Sequence, residues 1–410
     1  MKLTYKTTIR SCFCGFIVQA IVNNFAPLLF LTFEQSLGVS LSKITLLVSI
    51  NFGIQLLIDF LSVFLVDKIG YRLSFVLSHF FSASGLIFLA VLPYVLPDPF
   101  TGLIVSSVTY AIGGGLLEVV GNPIMDSCPS DNKEKSMSLL HSFYCWGHVG
   151  VVLISTGFFW LFGITEWRIL SCLWAILPIA NGILFSFVPL PEKQEEDSCS
   201  VNDSSREYSL KNLLLNGRFI LFVLLMAFAG ASEQAMSQWA SAFAEQGLNL
   251  SKTVGDLCGP LFFALMMGIS RAFFGNFGNK IRLGRFMLVS GVLCVVSYIL
   301  VSCVNVPVIG FIGCGLCGLS VGIMWPGTVA KSAKLFRDYG TKSFALLSFG
   351  GDIGCVSGPL LVGLISSCNG DDFKKGLLFS SLFPIAFTVI LFIILLSLLP
   401  KKNKRLPKKL

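Results

Sequence analysis

Glu34-Gln35-Ser36-Leu37-Gly38-Val39-Ser40-Leu41-Ser42-Lys43 returns, two residues shorter, as Glu245-Gln246-Gly247-Leu248-Asn249-Leu250-Ser251-Lys252. The surroundings repeat as well. Lys68-Ile69 followed by Arg72 recurs as Lys280-Ile281 followed by Arg285, Asn122-Pro123 as Trp325-Pro326, and Gly147-x-x-Gly150 as Gly351-x-x-Gly354. The offsets run from 203 (Pro123 to Pro326) to 213 (Arg72 to Arg285), so two copies follow one another in the same order with short insertions. A duplicated, strongly apolar chain is how membrane transporters build two halves that rock about a central site.

Composition leads to the same class. The chain is 54% hydrophobic and 13% charged, where a soluble protein carries about 25% charged residues, and its mean hydropathy is +0.80. A helix needs about 20 apolar residues to cross a bilayer. The apolar runs divide into twelve, near 11–33, 44–66, 73–95, 101–125, 137–162, 168–189, 217–241, 254–277, 284–303, 306–330, 343–366 and 376–399. The expected fold is all-α and integral to the membrane, with an N-terminal six-helix half over 1–189, a linker over 190–216 and a C-terminal half with a basic tail over 217–410. Glu192, Glu195, Glu196, Asp197 and the Ser and Asn around them make the linker a solvated segment. Lys2, Lys6 and Arg10 precede the first run as they would in a signal peptide, but that run is too long and eleven more follow, so it reads as a retained helix.

With the N-terminus inside, 24 Lys and Arg fall on the cytoplasmic side. Lys43, Arg168, Lys252, Lys374 and Lys375 make 5 on the other side, and Arg271 lies within a span. By the positive-inside rule both termini are expected to be cytoplasmic, and the expected location is the cell membrane. The net charge of +8 is largely this bias plus the tail Lys401-Lys402-Asn403-Lys404-Arg405, a solvated, lipid-facing tail rather than a nucleic-acid binder.

Several classes drop out. No Gly-x-x-x-x-Gly-Lys-Ser/Thr loop exists to hold a nucleotide for a pump, no added soluble domain marks a sensor, and no metal spacing or nucleophile–base pair marks an enzyme. Nearly all of the 13 cysteines lie in spans, and Cys314-x-x-Cys317 has no second pair or His beside it, so they read as packing residues. The sequons at Asn202 and Asn249 read as chance matches. The expected partners are a small-molecule solute, protons and the lipid bilayer, with no cofactor, no metal and a monomeric chain.

A charge at the bilayer centre costs about 3 kcal/mol on insertion scales, so each one needs a reason. Asp59, Glu118, Glu233, Arg271 and Asp352 lie within spans, with His141 and His148 as titratable neutrals. Asn51, Gln55 and Asp59 are spaced i, i+4, i+8. Gln19 and Asn23 share a face, as do Glu118 and Asn122, His141 and His148, and Gln234 and Gln238. Stripes from both halves must face each other or water, which puts a polar cavity between the halves. Helix glue is the competing account, but an interhelical polar contact contributes only about 0.6 kcal/mol on average, too little to offset five charges. Taken singly, each Asn or Gln is as well explained by glue as by substrate contact, and Asp352 or Glu233 pairing with Arg271 accounts for two charges. His79, alone in an apolar run, reads as packing. Trp146, Trp239 and Trp325 lie within spans; each fits core packing, and together they also suit the C–H faces of sugar rings.

Asp67-Lys68-Ile69-Gly70-Tyr71-Arg72 resembles the loop signature of the major facilitator superfamily, and with its repeat at 280–285 the resemblance covers essentially the whole chain. It implies a gate in which Asp67, Gly70, Arg72 and, in the second copy, Arg285 brace the cytoplasmic ends of the halves. Val63 replaces the usual Gly, and Asn279 stands where an acid is expected. Leu116-Leu117-Glu118-Val119-Val120-Gly121-Asn122-Pro123, Met324-Trp325-Pro326 and Asn23-Asn24 are similar to the fucose permease group of sugar–proton symporters. That resemblance implies proton coupling at Glu118, although this chain lacks the group's span-one acid. The expected cavity residues are Gln19, Asn23, Asn51, Gln55, Asn122, His148, Glu233, Gln234, Gln238, Trp239, Trp325 and Asp352, with Arg271 and Asp59 as charge partners. The alternative is a proton-coupled efflux antiporter for amphipathic compounds. Such antiporters carry Gly-x-x-x-Gly-Pro in span five, whereas here that motif stands in span eleven as Gly354 to Pro359.

Overall fold

The computed structural model describes residues 3–129, 133–190, 210–277, 281–303, 306–336 and 339–397. Lipid offers the backbone no hydrogen bonds, so chain this apolar satisfies its own N–H and C=O groups by coiling into helices. Among the described residues there is no strand, and twelve helices are long and apolar enough to cross a membrane. In chain order, spans 1 to 12 are Tyr5–Leu37, Leu41–Ser62, Tyr71–Val95, Pro99–Met125, Leu139–Phe162, Ile164–Phe187, Gly217–Gly247, Lys252–Phe274, Leu283–Cys303, Pro307–Leu335, Leu346–Cys368 and Phe373–Ser397. Most of the 190–216 linker, the whole tail after 397 and Lys280 lie outside the described residues.

Local sequence sets the starts and stops. Asp98, Asn216 and Asp372 each accept two backbone N–H bonds at the first turn of spans 4, 7 and 12, the groups that a helix start leaves unpaired. Gly70 alone separates the helix Leu41–Ile69 from span 3, at φ +81°, a conformation that a side chain disfavours. Spans 1 and 7 run farther than the 33 and 241 expected from apolarity. Span 1 continues through a 3-10 turn at Ala26–Leu29 around Pro27, and span 7 through a wider π turn at Phe243–Gly247. The repeated Glu34-Gln35 and Glu245-Gln246 therefore form last helical turns, where polar side chains do not interrupt the backbone ladder.

Packing repeats with the sequence. Within the first half span 1 packs on span 5, span 2 on span 4, and span 3 on spans 4 and 6. Six spans on, span 7 packs on span 11, span 8 on span 10, and span 9 on spans 10 and 12. Two of the contacts between halves are related in the same way, span 2 on span 11 and span 8 on span 5. Small residues permit the close crossings, as expected where lipid supplies no hydrophobic drive between helices. A Cβ at Gly354 would strike the Ala227 carbonyl, and one at Gly358 the Ala231 carbonyl. In the first half a Cβ at Gly147 would lie 2.9 Å from that of Ala20. The Gly354-x-x-x-Gly358-Pro359 motif is thus seated against span 7. Gly354→Val is expected to destabilise the protein by about 1–3 kcal/mol through overpacking, read as a lower melting temperature in detergent. Gly150→Ala, whose Cβ would meet nothing within 4 Å, should melt like the parent. Equal melting of both variants would contradict so close a crossing.

Lys43, Arg168, Lys252 and Lys375, placed on the minority side, have partners. Lys43 lies 4.9 Å from the Phe100 ring centroid. Arg168 donates to the Ala90 carbonyl at 2.7 Å and stacks 4.0 Å over Tyr94. Lys252 bonds Glu245 and Asp256, and Lys375 lies 3.7 Å from Asp372.

Candidate functional site

The polar stripes of spans 1, 2 and 4 turn inward and join. Gln19 Nε2 donates to Glu118 Oε2 at 2.7 Å. Asn23 Oδ1 accepts from Gln55 Nε2 at 2.8 Å and from Asn51 Nδ2 at 3.4 Å, and Gln55 also donates to Asn51 Oδ1 at 3.1 Å. Gln19, Asn23, Asn51 and Gln55 are all buried. The helical spacing that puts each pair on one face is what lets four amides and a carboxyl satisfy one another.

The facing wall belongs to the second half. Arg271 Nη2 donates to Glu233 Oε2 at 3.3 Å, and Gln238 Nε2 bonds Gln234 Oε1 at 3.2 Å. Gln238 also crosses between the halves to the Asn23 carbonyl at 3.1 Å. Asp352 of span 11 and Asp59 of span 2 come close across the same divide, with Asp59 Oδ1 buried and without a hydrogen-bond partner.

Between the walls lies a cavity of about 110 Å³. Gln19, Asn23, Gln55, Glu118, Glu233, Gln234, Arg271, Trp325 and Asp352 line it, joined by Phe16, Phe52, His141, Gly230, Tyr144 and Cys355. Asn51 and Gln238 line a separate small void beside it. Asn122 donates to the Glu118 carbonyl at 3.3 Å and stands one turn away, its Oδ1 buried without a partner. Asp59 lies behind Asp352. His148 is buried on span 5 outside the lining. Trp239 is fully buried away from the cavity, donating to the Pro359 carbonyl at 3.0 Å between Phe30 and Phe373. Phe16, Phe52 and Tyr144 were missed by a search for polar groups. Their signal was spacing, since each stands three residues before Gln19, before Gln55 or after His141.

At the end that carries the chain termini, Arg72 donates to the carbonyls of Phe185, Ser186 and Val188 at 3.2, 2.7 and 2.9 Å. It thereby caps the last turn of span 6, where helical carbonyls lack partners and a cation is favoured. All three bonds lie within its own half. Gly70 forms the turn described above, Arg285 is exposed at the start of span 9, and the Asp67 side chain lies outside the described residues.

The opposite end is where the halves close. A Cβ at Gly363 of span 11 would strike the Thr45 side chain of span 2, and Ser42 and Ser367 share a 2.7 Å hydrogen bond. Between spans 5 and 8, Thr156 donates to Asp256 Oδ2 at 3.4 Å. Asp256 is fully buried, and its Oδ1 accepts from Lys252 at 2.8 Å and Ser241 at 2.5 Å. Its signal in the sequence was its place one turn after Lys252.

Two pseudo-symmetric helical halves enclosing a polar cavity define a membrane carrier for small solutes rather than an enzyme. The chain belongs to the major facilitator superfamily, whose family model matches residues 11–315. No curated protein sequence matches it. Among solved structures it is similar to a bacterial homologue of the human lysosomal transporter Spinster in an inward-facing, unoccupied conformation, with 14% identity, TM-score 0.76, and 96% of this chain and 97% of that one covered. It is similar to the nucleoside transporter NupG, with 12% identity, TM-score 0.75 and coverage of 95% and 99%. It is also similar to the E. coli fucose:proton symporter, with 15% identity, TM-score 0.65 and coverage of 95% and 99%. These likenesses are to the fold.

Proposed function

We propose that the protein is a secondary active transporter that moves a small polar solute of the sugar type together with protons by alternating access. The observation that carries this reading is the carboxyl of Glu118, bonded to Gln19 on one wall of a cavity shared by both halves. The solute binds between the amides of spans 1 and 2 and the Glu233–Arg271 wall, with Trp325 and Tyr144 offering ring faces to its C–H groups. Glu118 takes a proton while the cavity is open to the outside and gives it up inside. The fold shared with a fucose:proton symporter and a nucleoside transporter supports the same reading.

In this reading the protein works as a monomer in the cell membrane with both termini cytoplasmic, and the end closed by Gly363 and Thr45 faces outward. Reporter fusions within 190–216 and after Leu410 should both report cytoplasm; an outside signal from both would reverse the orientation, and one from the Leu410 fusion alone would overturn the even span count. Labelled sugars and nucleosides offered to proteoliposomes should accumulate when the outside is made acidic, and a protonophore should abolish the accumulation. Uptake that only equilibrates, with or without a pH gradient, would exclude proton symport.

A further inference from the structure

Arg271 is the single Lys or Arg in the cavity wall. It is not fully used there. Guanidinium offers five N–H donors in a planar fork, and one Nη makes a lone 3.3 Å bond to Glu233. A second contact is with the Cys145 thiol of span 5. Nε is buried without any partner. An Arg serving only to neutralise Glu233 would close on it as a short, two-pronged pair. This one is held off its carboxylate with part of its fork uncovered, at a cavity whose other wall offers the amides of Gln19, Asn23 and Gln55 beside the Glu118 carboxyl.

We propose that the solute carries a carboxylate that seats on Arg271, and that the transported class is hydroxylated carboxylic acids no larger than a single sugar. The inference rests on the reading of this cavity as the solute site. A carboxylate presents two oxygens in one plane, the complement of the fork, and it covers the unpartnered Nε–H. Its hydroxyls then reach Gln19 and Gln55 across the cavity.

The charges around the seat make this binding depend on protons. Arg271 faces Glu233 from span 7 and His141, Tyr144 and Cys145 from span 5. Glu118 and Asp352 complete the titratable lining, with Asp59 behind Asp352. With Glu118 ionised, an entering anion meets an acid wall and a guanidinium already shared with Glu233. Once Glu118 holds a proton that repulsion is gone, so anion and proton load together and their charges cancel. No separate coupling residue is then needed in span 1.

The test uses the full-length protein in proteoliposomes with labelled gluconate, glucuronate, glucose and choline, together with binding followed through tryptophan fluorescence. Gluconate or glucuronate should bind and accumulate under an inward proton gradient, with glucose and choline left behind. Arg271→Lys should weaken acid binding about tenfold, and Arg271→Gln about 100-fold, as expected for losing the fork and then the charge. Because Arg271→Gln leaves Glu233 without its cation, the double variant Arg271→Gln/Glu233→Gln serves as the folding-safe form; it should melt like the parent and still fail to bind the acids. Undiminished acid binding by the double variant would overturn the proposal. So would accumulation of glucose in preference to the acids, which leaves the wider sugar-symport reading standing, or accumulation of choline, which would make the cavity a cation site. Failure of the unmodified protein to bind any of the four probes would overturn both readings.

Discussion

Glu118→Gln is expected to abolish accumulation of solute against its gradient while leaving solute binding and counterflow exchange largely intact. The substituted amide is the shape of a protonated carboxyl, and its oxygen can accept from Gln19 Nε2, which now donates to Glu118 Oε2 at 2.7 Å. The wall therefore keeps its geometry and loses only a titratable proton. A carrier that cannot release a proton can still exchange solute for solute, because exchange returns the loaded form. It cannot return empty, so net concentrative uptake should fall to the level of protein-free vesicles. The measurement is pH-driven uptake beside counterflow in the same vesicles, with Glu233→Gln and Asp352→Asn as comparators. Glu233 is already matched by the Arg271 guanidinium, whereas Asp352 stands beside a second acid, Asp59. If Glu118→Gln still concentrates solute on a proton gradient, the proton travels elsewhere, and whichever comparator alone loses accumulation becomes the carrier.

Gly363→Trp should jam the cycle from the opposite direction. Gly363 lies where spans 2 and 11 cross at the end away from the termini, so tightly that even a Cβ would strike Thr45. An indole there cannot fit between the helices, and the halves relieve the clash by parting at that end. Overpacking of this kind costs about 1–3 kcal/mol in the closed arrangement, which moves the balance about fivefold to 150-fold toward the form open at that end. Both uptake and counterflow should be lost, since each needs that end to close, whereas equilibrium binding in detergent should persist. Reactivity of a cysteine introduced at Asn51, just below the crossing, should rise toward reagents added from outside. Normal counterflow with unchanged cysteine reactivity would show that the spans separate here without cost.

Much of this protein is written plainly in its sequence, and the reasons are specific to lipid. Backbone groups in a bilayer must be satisfied within a helix or barrel, so twelve apolar runs leave little choice of local structure. The repeated Glu-Gln, Pro and Gly positions then announce the duplication. Polar faces were legible for the same reason. Gln19 and Asn23, Asn51 and Gln55, and Glu233 and Gln234 are too costly to turn to lipid, so helical spacing alone sends them inward.

The tertiary structure decided which of those inward groups meet. Trp239 and His148 stand on or beside polar faces that the sequence sends inward, yet the rotation of spans 7 and 5 buries them against their own neighbours, and periodicity does not fix a rotation to within one residue. Phe16 and Phe52 reach the cavity although an apolar residue carries no insertion penalty to betray its direction. Arg72 caps span 6 because a guanidinium in reach of three unpaired carbonyls takes them, a proximity that exists only once spans 3 and 6 pack. The sequence by itself determined the membrane class, the two-fold repeat and the inward faces, because those follow from the cost of polar groups in lipid. The pairing of Glu118 with Gln19, the half-used fork of Arg271, the meeting of Asp59 with Asp352 and the closure at Gly363 were decided by packing alone, because each joins residues whose separation along the chain says nothing of their distance in space.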